Sequence, residues 1–339
     1  MTAQSHILVI RLSAMGDVAI SVPVLRAFTQ QHPNVKITVL TRAFFAPLFN
    51  GIENVTVFNA DLKTKHKGLF GIYKLSKELK QTGITEVADL HGVLRTHMLK
   101  CLFLGRPFKQ IDKGRAEKKA LVSGEIFKPL KSSHERYSDV FRALGYKLSL
   151  EKTDSQPPQQ LPAGFPKNFI NIKPFIGVAP FAQYESKMYP LDQMKTVIHA
   201  LSKEYTVLLF GGGPKEKEQL EAIEQDISNV FNVVGKFTFS EELAIISNLE
   251  VMLSMDSGNG HLAAMFGVKV VTIWGNTHPY AGFTPYKQPK SHQLIPNRDH
   301  YPLIPTSIFG KNTPENYKTV AGTISPTTVV NTIKSILKE

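Results

Sequence analysis

Short apolar runs alternate with longer stretches of helical spacing along most of the chain. In the first half, residues 6–10, 35–40, 55–58 and 85–90 are runs of strand length, while 18–28 and 69–79 carry apolar residues at the three- and four-residue steps of a helix. Pro23 falls in the first of these helices, as a kink or an early-turn residue. A second series runs from 175 to 273: strands at 175–179, 205–210, 230–234, 249–255 and 268–273, and helices at 191–201, 240–249 and 261–266. Strands that alternate with helices at this length build parallel sheets, so the pattern predicts an α/β, doubly wound architecture.

Residues 151–174 break the pattern with TDSQPPQQLPAGFPKNFINIKP, rich in proline and polar residues, which reads as a linker or domain edge. At 339 residues the chain exceeds the size one core usually serves, and two domains are expected, 1–160 and 161–325. The closing segment, 326–339, reads as an amphipathic helix whose stripe is Val329, Val330, Ile333, Ile336 and Leu337. It is expected to pack back on the first domain.

Charge narrows the partners. Forty Lys and Arg against 28 Asp and Glu give a formal charge of +12, which favours an anionic partner. Much of the excess lies in 106–136, including Arg115 and Lys118, and two readings are open: a solvated helix face, or a platform for phosphates on an acceptor or membrane surface. Interleaved aromatics are sparse and no helix-turn-helix, zinc or RNP pattern is present, so nucleic acid is not an expected partner. Cys101, the single cysteine, excludes an internal disulfide and a cysteine-rich zinc site; in the apolar helix end MLKCLFLG it reads as a small buried hydrophobe. No apolar run reaches the roughly 18 to 20 residues of a membrane span. The N-terminal stretch has no basic segment before its apolar run and reads as a first strand, so a cytoplasmic protein without a signal peptide is expected.

Candidate chemistry collects in the turns after strands, at the sheet edge where such folds bind ligands. RLSAMGD follows the first strand and is not a dinucleotide fingerprint; it holds Arg11, Ser13, Gly16 and Asp17. Asp17 is either a helix-start charge or a general base aimed at a ligand. ADLHGVLRT places Asp89, His91 and Arg95 after another strand, with His91 ranked below Asp17 because a histidine there is often structural. In the second half Ser186 and Lys187 precede a helix, and a lysine suits phosphate neutralisation as a mobile point charge. GGGPKEKE lacks the P-loop pattern, and its Glu216 is placed to accept from a ribose hydroxyl. MDSGNGH, residues 255–261, opens a helix after a strand: its backbone N–H groups and dipole form an anion site, or Asp256 or Ser257 simply caps the helix while the glycines turn the chain.

Taken together, ILVIRLSAMGDVAISVPVLRAF, the lysine loop and MDSGNGHLAAMFGVKVVTIWGNTHPYAGF resemble the ADP-heptose:lipopolysaccharide heptosyltransferases, glycosyltransferase family 9. The resemblance covers most of the chain and keeps the motif order. It implies a GT-B fold, two facing Rossmann-like domains with a cleft between them, with the acceptor on the first and the nucleotide-sugar on the second. It implies inverting transfer of a sugar, heptose from ADP-heptose, to an anionic glycolipid of the lipopolysaccharide inner core or lipid A. Asp17 matches the family's base, Lys187 its diphosphate-facing lysine, and Asp256, Ser257, Gly258 and His261 its diphosphate-binding turn; Ser186 and Glu216 fall near the donor. Arg11, Ser13, Gly16, His91, Arg115 and Lys118 become acceptor-side candidates. The resemblance implies no metal and no cofactor beyond the donor, and allows peripheral contact with the inner membrane. A UDP- or GDP-sugar transferase and a non-catalytic nucleotide-binding module of the same fold are the alternatives. The sequence departs from the family pattern at Gly260, Asn276 and His278, and the extra glycine is expected to loosen the turn.

Overall fold

The computed structural model describes residues 5–151, 153, 155–170, 174–311 and 313–338. Residues 152, 154 and 171–173 of the expected linker, residues 1–4 of the N-terminal stretch and residue 339 of the closing segment lie outside the described residues. In chain order the elements are β1 (His6–Ile10), α1 (Met15–Gln31), β2 (Lys36–Thr41), β3 (Val55–Asn59), α2 (Gly68–Gln81), β4 (Glu86–Asp89), α3 (Leu94–Leu102), β5 (Phe108–Gln110), α4 (Arg115–Ser123) and α5 (Ser133–Ala143). The second half continues with α6 (Lys167–Ile170), β6 (Phe175–Ala179), α7 (Leu191–Ser202), β7 (Thr206–Leu209), α8 (Pro214–Asp226), β8 (Val230–Asn232) and α9 (Phe239–Ile246). It ends with β9 (Val251–Met255), α10 (Gly258–Ala264), β10 (Lys269–Ile273), β11 (Gln293–Leu294) and α11 (Pro326–Ile336). Two units divide the chain, Met1–Lys113 with Ser133–Asp154 and Gly114–Ser132 with Ser155–Glu339.

In the first unit, five parallel strands are ordered β3-β2-β1-β4-β5. Residues 7–10 are fully buried, as the unbroken apolar run requires. Strand order reverses at the β1/β4 boundary, where Ile10 is paired with both Leu40 and Asp89. The segments leaving β1 and β4 therefore start side by side, the place where open α/β sheets hold ligands. α1 runs on through Pro23, and α2 buries Ile72, Leu75 and Leu79 at helical spacing in the core.

The second unit holds six parallel strands in the order β11-β10-β9-β6-β7-β8, so its reversal lies between β6 and β9. Ala179 pairs with Ser254 there, which sets the exits of β6 and β9 next to each other. β5 and β11 are too short to leave a hydrophobic pattern, and neither was expected from the sequence.

Several expectations are corrected. α10 starts at Gly258, not 261; Gly258, Asn259 and Gly260 are weak helix formers, and tertiary packing overrides their propensity. α9 is capped by Thr238, which precedes the expected start at Ser240: its side chain accepts from Glu241 N while Glu241 accepts from Thr238 N at 2.8 Å. The apolar stripe of α11, expected to return to the first domain, puts Val329, Ile333 and Ile336 into the core of the second unit, packed with α7, β9 and β10. Cys101 is exposed, because α3 buries Thr96 and Leu99 and turns Cys101 outward. Segment 114–132, expected in the first domain, belongs to the second unit. Among the described residues no helix is long and apolar enough to cross a membrane.

Candidate active site

At the strand-order reversal of the first unit, Arg11 leaves β1 and is almost completely buried. Its Nη1 donates to the Leu90 carbonyl at 2.6 Å, and its Nη2 is ion-paired with Asp17 Oδ2. The guanidinium lies 5.7 Å from the centre of the Tyr137 ring, and the Tyr137 hydroxyl donates to the Asp17 carbonyl at 3.4 Å. Asp17 occupies the third position of α1, where its Oδ2 also accepts from Ala14 N at 3.4 Å. Both contacts fall on Oδ2, no described residue bonds Oδ1, and the side chain is 35% exposed. Helix-start charge and available carboxylate oxygen thus coexist in one residue. Ser13 and Gly16 are half-buried in the connection that carries it.

Next to it, Asp89 at the end of β4 is fully buried and accepts from His91 N at 2.9 Å, Gly92 N at 3.0 Å and Gln110 Nε2 at 2.6 Å. That carboxylate fixes the turn and presents His91. Burial, aided by the Arg11 and Lys113 cations and opposed by Asp89 and Asp17, pushes the imidazole down to about 4, so it is neutral near pH 7. Its Nδ1 is buried with no hydrogen-bond partner among the described residues.

In the second unit, Lys187 follows β6 and Asp256 follows β9, and they meet at the reversal with Nζ 2.8 Å from Oδ2. The side chains are 13% and 7% exposed, so this is a nearly buried pair. Thr277 Oγ1 donates to the same carboxylate oxygen at 3.0 Å. The lysine stem lies against Gly310, where a Cβ would sit 2.6 Å from its methylenes, and Ser186 Oγ donates to the Gly310 carbonyl at 2.7 Å. Gly275 packs so closely on the Ser186 carbonyl that a Cβ there would stand 2.2 Å from the oxygen.

Ser257 is the N-cap of α10, yet its side chain caps nothing; its Oγ is buried without a hydrogen-bond partner among the described residues. Gly258 begins the helix and His261, buried, is its fourth residue. Gly260 does not loosen the turn as expected: a Cβ there would come within 2.6 Å of Ser254 Oγ, so the glycine permits tight packing on β9. Asn276 is fully buried and donates to Thr306 and Thr313, and His278 accepts from Tyr280 N at 3.1 Å. Glu216 Oε2 accepts from Gly212 N at 2.6 Å at the start of α8.

Structure therefore brings Arg11, Asp17 and His91 together in the first unit, and Ser186, Lys187, Asp256, Ser257, Gly258 and His261 together in the second. Arg115 and Lys118, expected on the acceptor side with the first domain, belong to the second unit. They lie on α4, where Arg115 is exposed and Lys118 Nζ stands 4.4 Å from the Phe283 ring centre. The basic stretch is also not one face: Arg136 is buried and donates to the Asp112 carbonyl at 3.4 Å, and Arg106 lies on the Phe103 ring. Tyr137, Thr277 and Gly310 escaped the sequence reading. Thr277 alone left a trace, in the polar cluster after β10.

The profile of glycosyltransferase family 9 (heptosyltransferase) matches residues 72–306, more than half of the chain. The chain belongs to glycosyltransferase family 9. Among family relatives, it is similar to the lipopolysaccharide core heptosyltransferase OpsX of Haemophilus influenzae, 24% identical over 293 residues that cover 82% of this chain and 81% of the relative. Its fold matches the family 9 glycosyltransferase of Veillonella parvula with a TM-score of 0.73 at 16% identity, over 100% of this chain and 98% of the other. It matches the Escherichia coli heptosyltransferase WaaC, solved with ADP, with a TM-score of 0.67 at 18% identity over 98% and 99%. The protein is thus a heptosyltransferase-like glycosyltransferase, and the family resemblance read from its motifs holds, as does the expected fold class. The Asp17 turn precedes the matched span, so its assignment stands on its own motif and geometry.

Proposed function

We propose that this family 9 member transfers heptose from ADP-heptose to a hydroxyl of a lipopolysaccharide inner-core acceptor, with inversion at the anomeric carbon. The observation that carries this reading is that in each unit the charged side chains stand at the strand-order reversal of a parallel sheet. Support for the donor comes from WaaC, solved with ADP and with ADP-2-deoxy-2-fluoro heptose, and support for the acceptor from relatives such as OpsX.

In the proposed reaction Asp17 takes the proton of the acceptor hydroxyl as its oxygen attacks the anomeric carbon from the face opposite the diphosphate. Arg11 holds Oδ2 and leaves Oδ1 for that hydroxyl. The bond from the anomeric carbon to the diphosphate oxygen breaks and ADP departs carrying the electron pair. Lys187 offsets the growing negative charge: an ammonium has three donors, and Asp256 takes one. The Ser257 hydroxyl and the first amides of α10 supply further donors. Ammonium and amides then do the neutralising without an obligatory Mg²⁺. An acceptor anchored by lipid places the enzyme at the cytoplasmic face of the inner membrane, in peripheral contact.

Asp17→Asn tests the assignment. Turnover with ADP-heptose is expected to fall about 10²-fold or more while ADP affinity by calorimetry stays near wild type. Full activity in this variant removes Asp17 from the reaction. Calorimetry with ADP, UDP and GDP on the wild type checks the donor; preference for UDP or GDP would overturn the ADP reading.

A further inference from the structure

α2 has two apolar sides, and only one of them is covered. Ile72, Leu75 and Leu79 fill the core of the first unit, whereas Phe70 and Tyr73, turned away from them, are 91% and 50% exposed, and Leu69, on the flank beside Ile72, is 68% exposed. A surface helix normally carries polar residues there. Leu94, 70% exposed at the start of α3, extends the patch; together with Leu69, Arg95 and Met98 it lines a shallow groove of about 410 Å³. Contiguous exposed apolar side chains of this size mark an interaction surface.

Charge around the patch selects the partner. Across residues 61–80 six lysines face two acids. Lys63, Lys65 and Lys67 stand exposed on the segment leading into α2, and Lys74, Lys77 and Lys80 are exposed along the helix. Both acids are engaged locally, Asp61 by the backbone N–H groups of Lys63 and Thr64, and Glu78 by Lys65 at 2.8 Å and by His66. Lys77 Nζ sits 4.7 Å from the Tyr73 ring centre, so cation and aromatic form one amphipathic surface. Apolar side chains set in a collar of lysines match a bilayer with an anionic surface, where the apolar groups enter the headgroup boundary and the lysines stay at the phosphates.

We infer that the outward side of α2, with Leu69, Phe70, Tyr73 and the adjoining Leu94, docks this protein on an anionic phospholipid bilayer. The biological sense of that contact rests on the proposed lipid-anchored acceptor; the contact itself does not. This surface differs from the basic stretch 106–136 singled out by charge alone, because it joins the lysines to uncovered apolar side chains.

Co-sedimentation with vesicles of phosphatidylcholine plus phosphatidylglycerol, against phosphatidylcholine alone, tests the inference. The wild type is expected to bind the anionic vesicles, less so as salt rises, and to leave the neutral ones unbound. Replacing one of the exposed lysines by glutamine should weaken binding about fivefold. The double variant L69S/F70S should bind at least tenfold more weakly while keeping the wild-type melting temperature, since neither side chain is buried. Its transfer rate to a water-soluble, acyl-free acceptor should match the wild type, which separates this inference from the donor and acceptor reading. Phe70→Trp gives a second readout: its emission should shift to the blue on anionic vesicles, against a background of the buried Trp274. Equal sedimentation of L69S/F70S and wild type, unchanged Phe70→Trp emission, or wild-type binding to neutral vesicles would each overturn it. A concentration-dependent dimer that L69S/F70S abolishes, with no vesicle binding by the wild type, would assign the face to a second copy and overturn it as well.

Discussion

At Lys187 the sequence supplies the residue's type and position but not its partners. Its type and its position before a helix pointed to phosphate chemistry, but nothing nearby in the chain announced that Asp256 and Gly310 would hold it. The pair is nearly dry, so removing one partner leaves an uncompensated buried charge. Asp256→Ala is expected to destabilise the protein by about 3–5 kcal/mol, measurable as a large drop in urea midpoint; a wild-type midpoint would mean that water reaches Lys187 freely. Lys187→Ala strands the Asp256 carboxylate in the same way, so it is expected both to lower the urea midpoint and to weaken ADP binding by calorimetry; unchanged affinity would remove this lysine from the donor site. In the first unit Asp17 was singled out by its spacing after β1. Tyr137, which bonds the Asp17 carbonyl from 120 positions away, was not, because only the packing of α5 beside α1 brings it there.

At the scale of elements, the strands and long helices followed from hydrophobic period, and the errors gathered at helix starts. α10 begins three residues before its apolar pattern does, because Gly260 fits against Ser254 where a larger residue would clash. The same closeness shapes the lysine loop. Gly275→Ala would drive a Cβ into the Ser186 carbonyl, a backbone atom that cannot swing aside. It is expected to cost about 1–3 kcal/mol of stability and, by shifting Lys187, to weaken ADP binding in the same variant. Stability and affinity both at wild-type levels would show that the loop gives way without consequence. β5 and β11 were missed because two or three residues carry no period.

Across the whole molecule, stability should depend on pH through groups in both units. His91 and His278 are each held down to about 4, mainly by burial, with Arg11 and Arg298 respectively adding to it. An unfolded chain binds these protons near the ordinary value of 6.5, so between about 6.5 and 4 the unfolded state holds more protons and stability falls as pH falls. Glu242 acts the other way: burial pushes its carboxyl up to about 7, and its share of stability is lost as pH rises from 4.5 through 7. Melting temperature should therefore fall on the acid side less steeply in His278→Asn, whereas Glu242→Gln should melt higher than wild type above about pH 7. Identical pH profiles for the three proteins would show that neither burial matters to folding.

Sequence alone determined the fold class, the two α/β series, the family and the turns that carry Asp17, Lys187 and Asp256. Periodicity and turn chemistry are local, and a loop that follows a parallel strand must emerge at one known edge of the sheet. Tertiary structure decided which of those turns are neighbours, since the order β3-β2-β1-β4-β5 and its six-stranded counterpart are not written in any local pattern. It also moved segment 114–132, with Arg115 and Lys118, into the second unit and left one side of α2 uncovered. Burial depends on what packs against a side chain, and that is a property of the assembled chain.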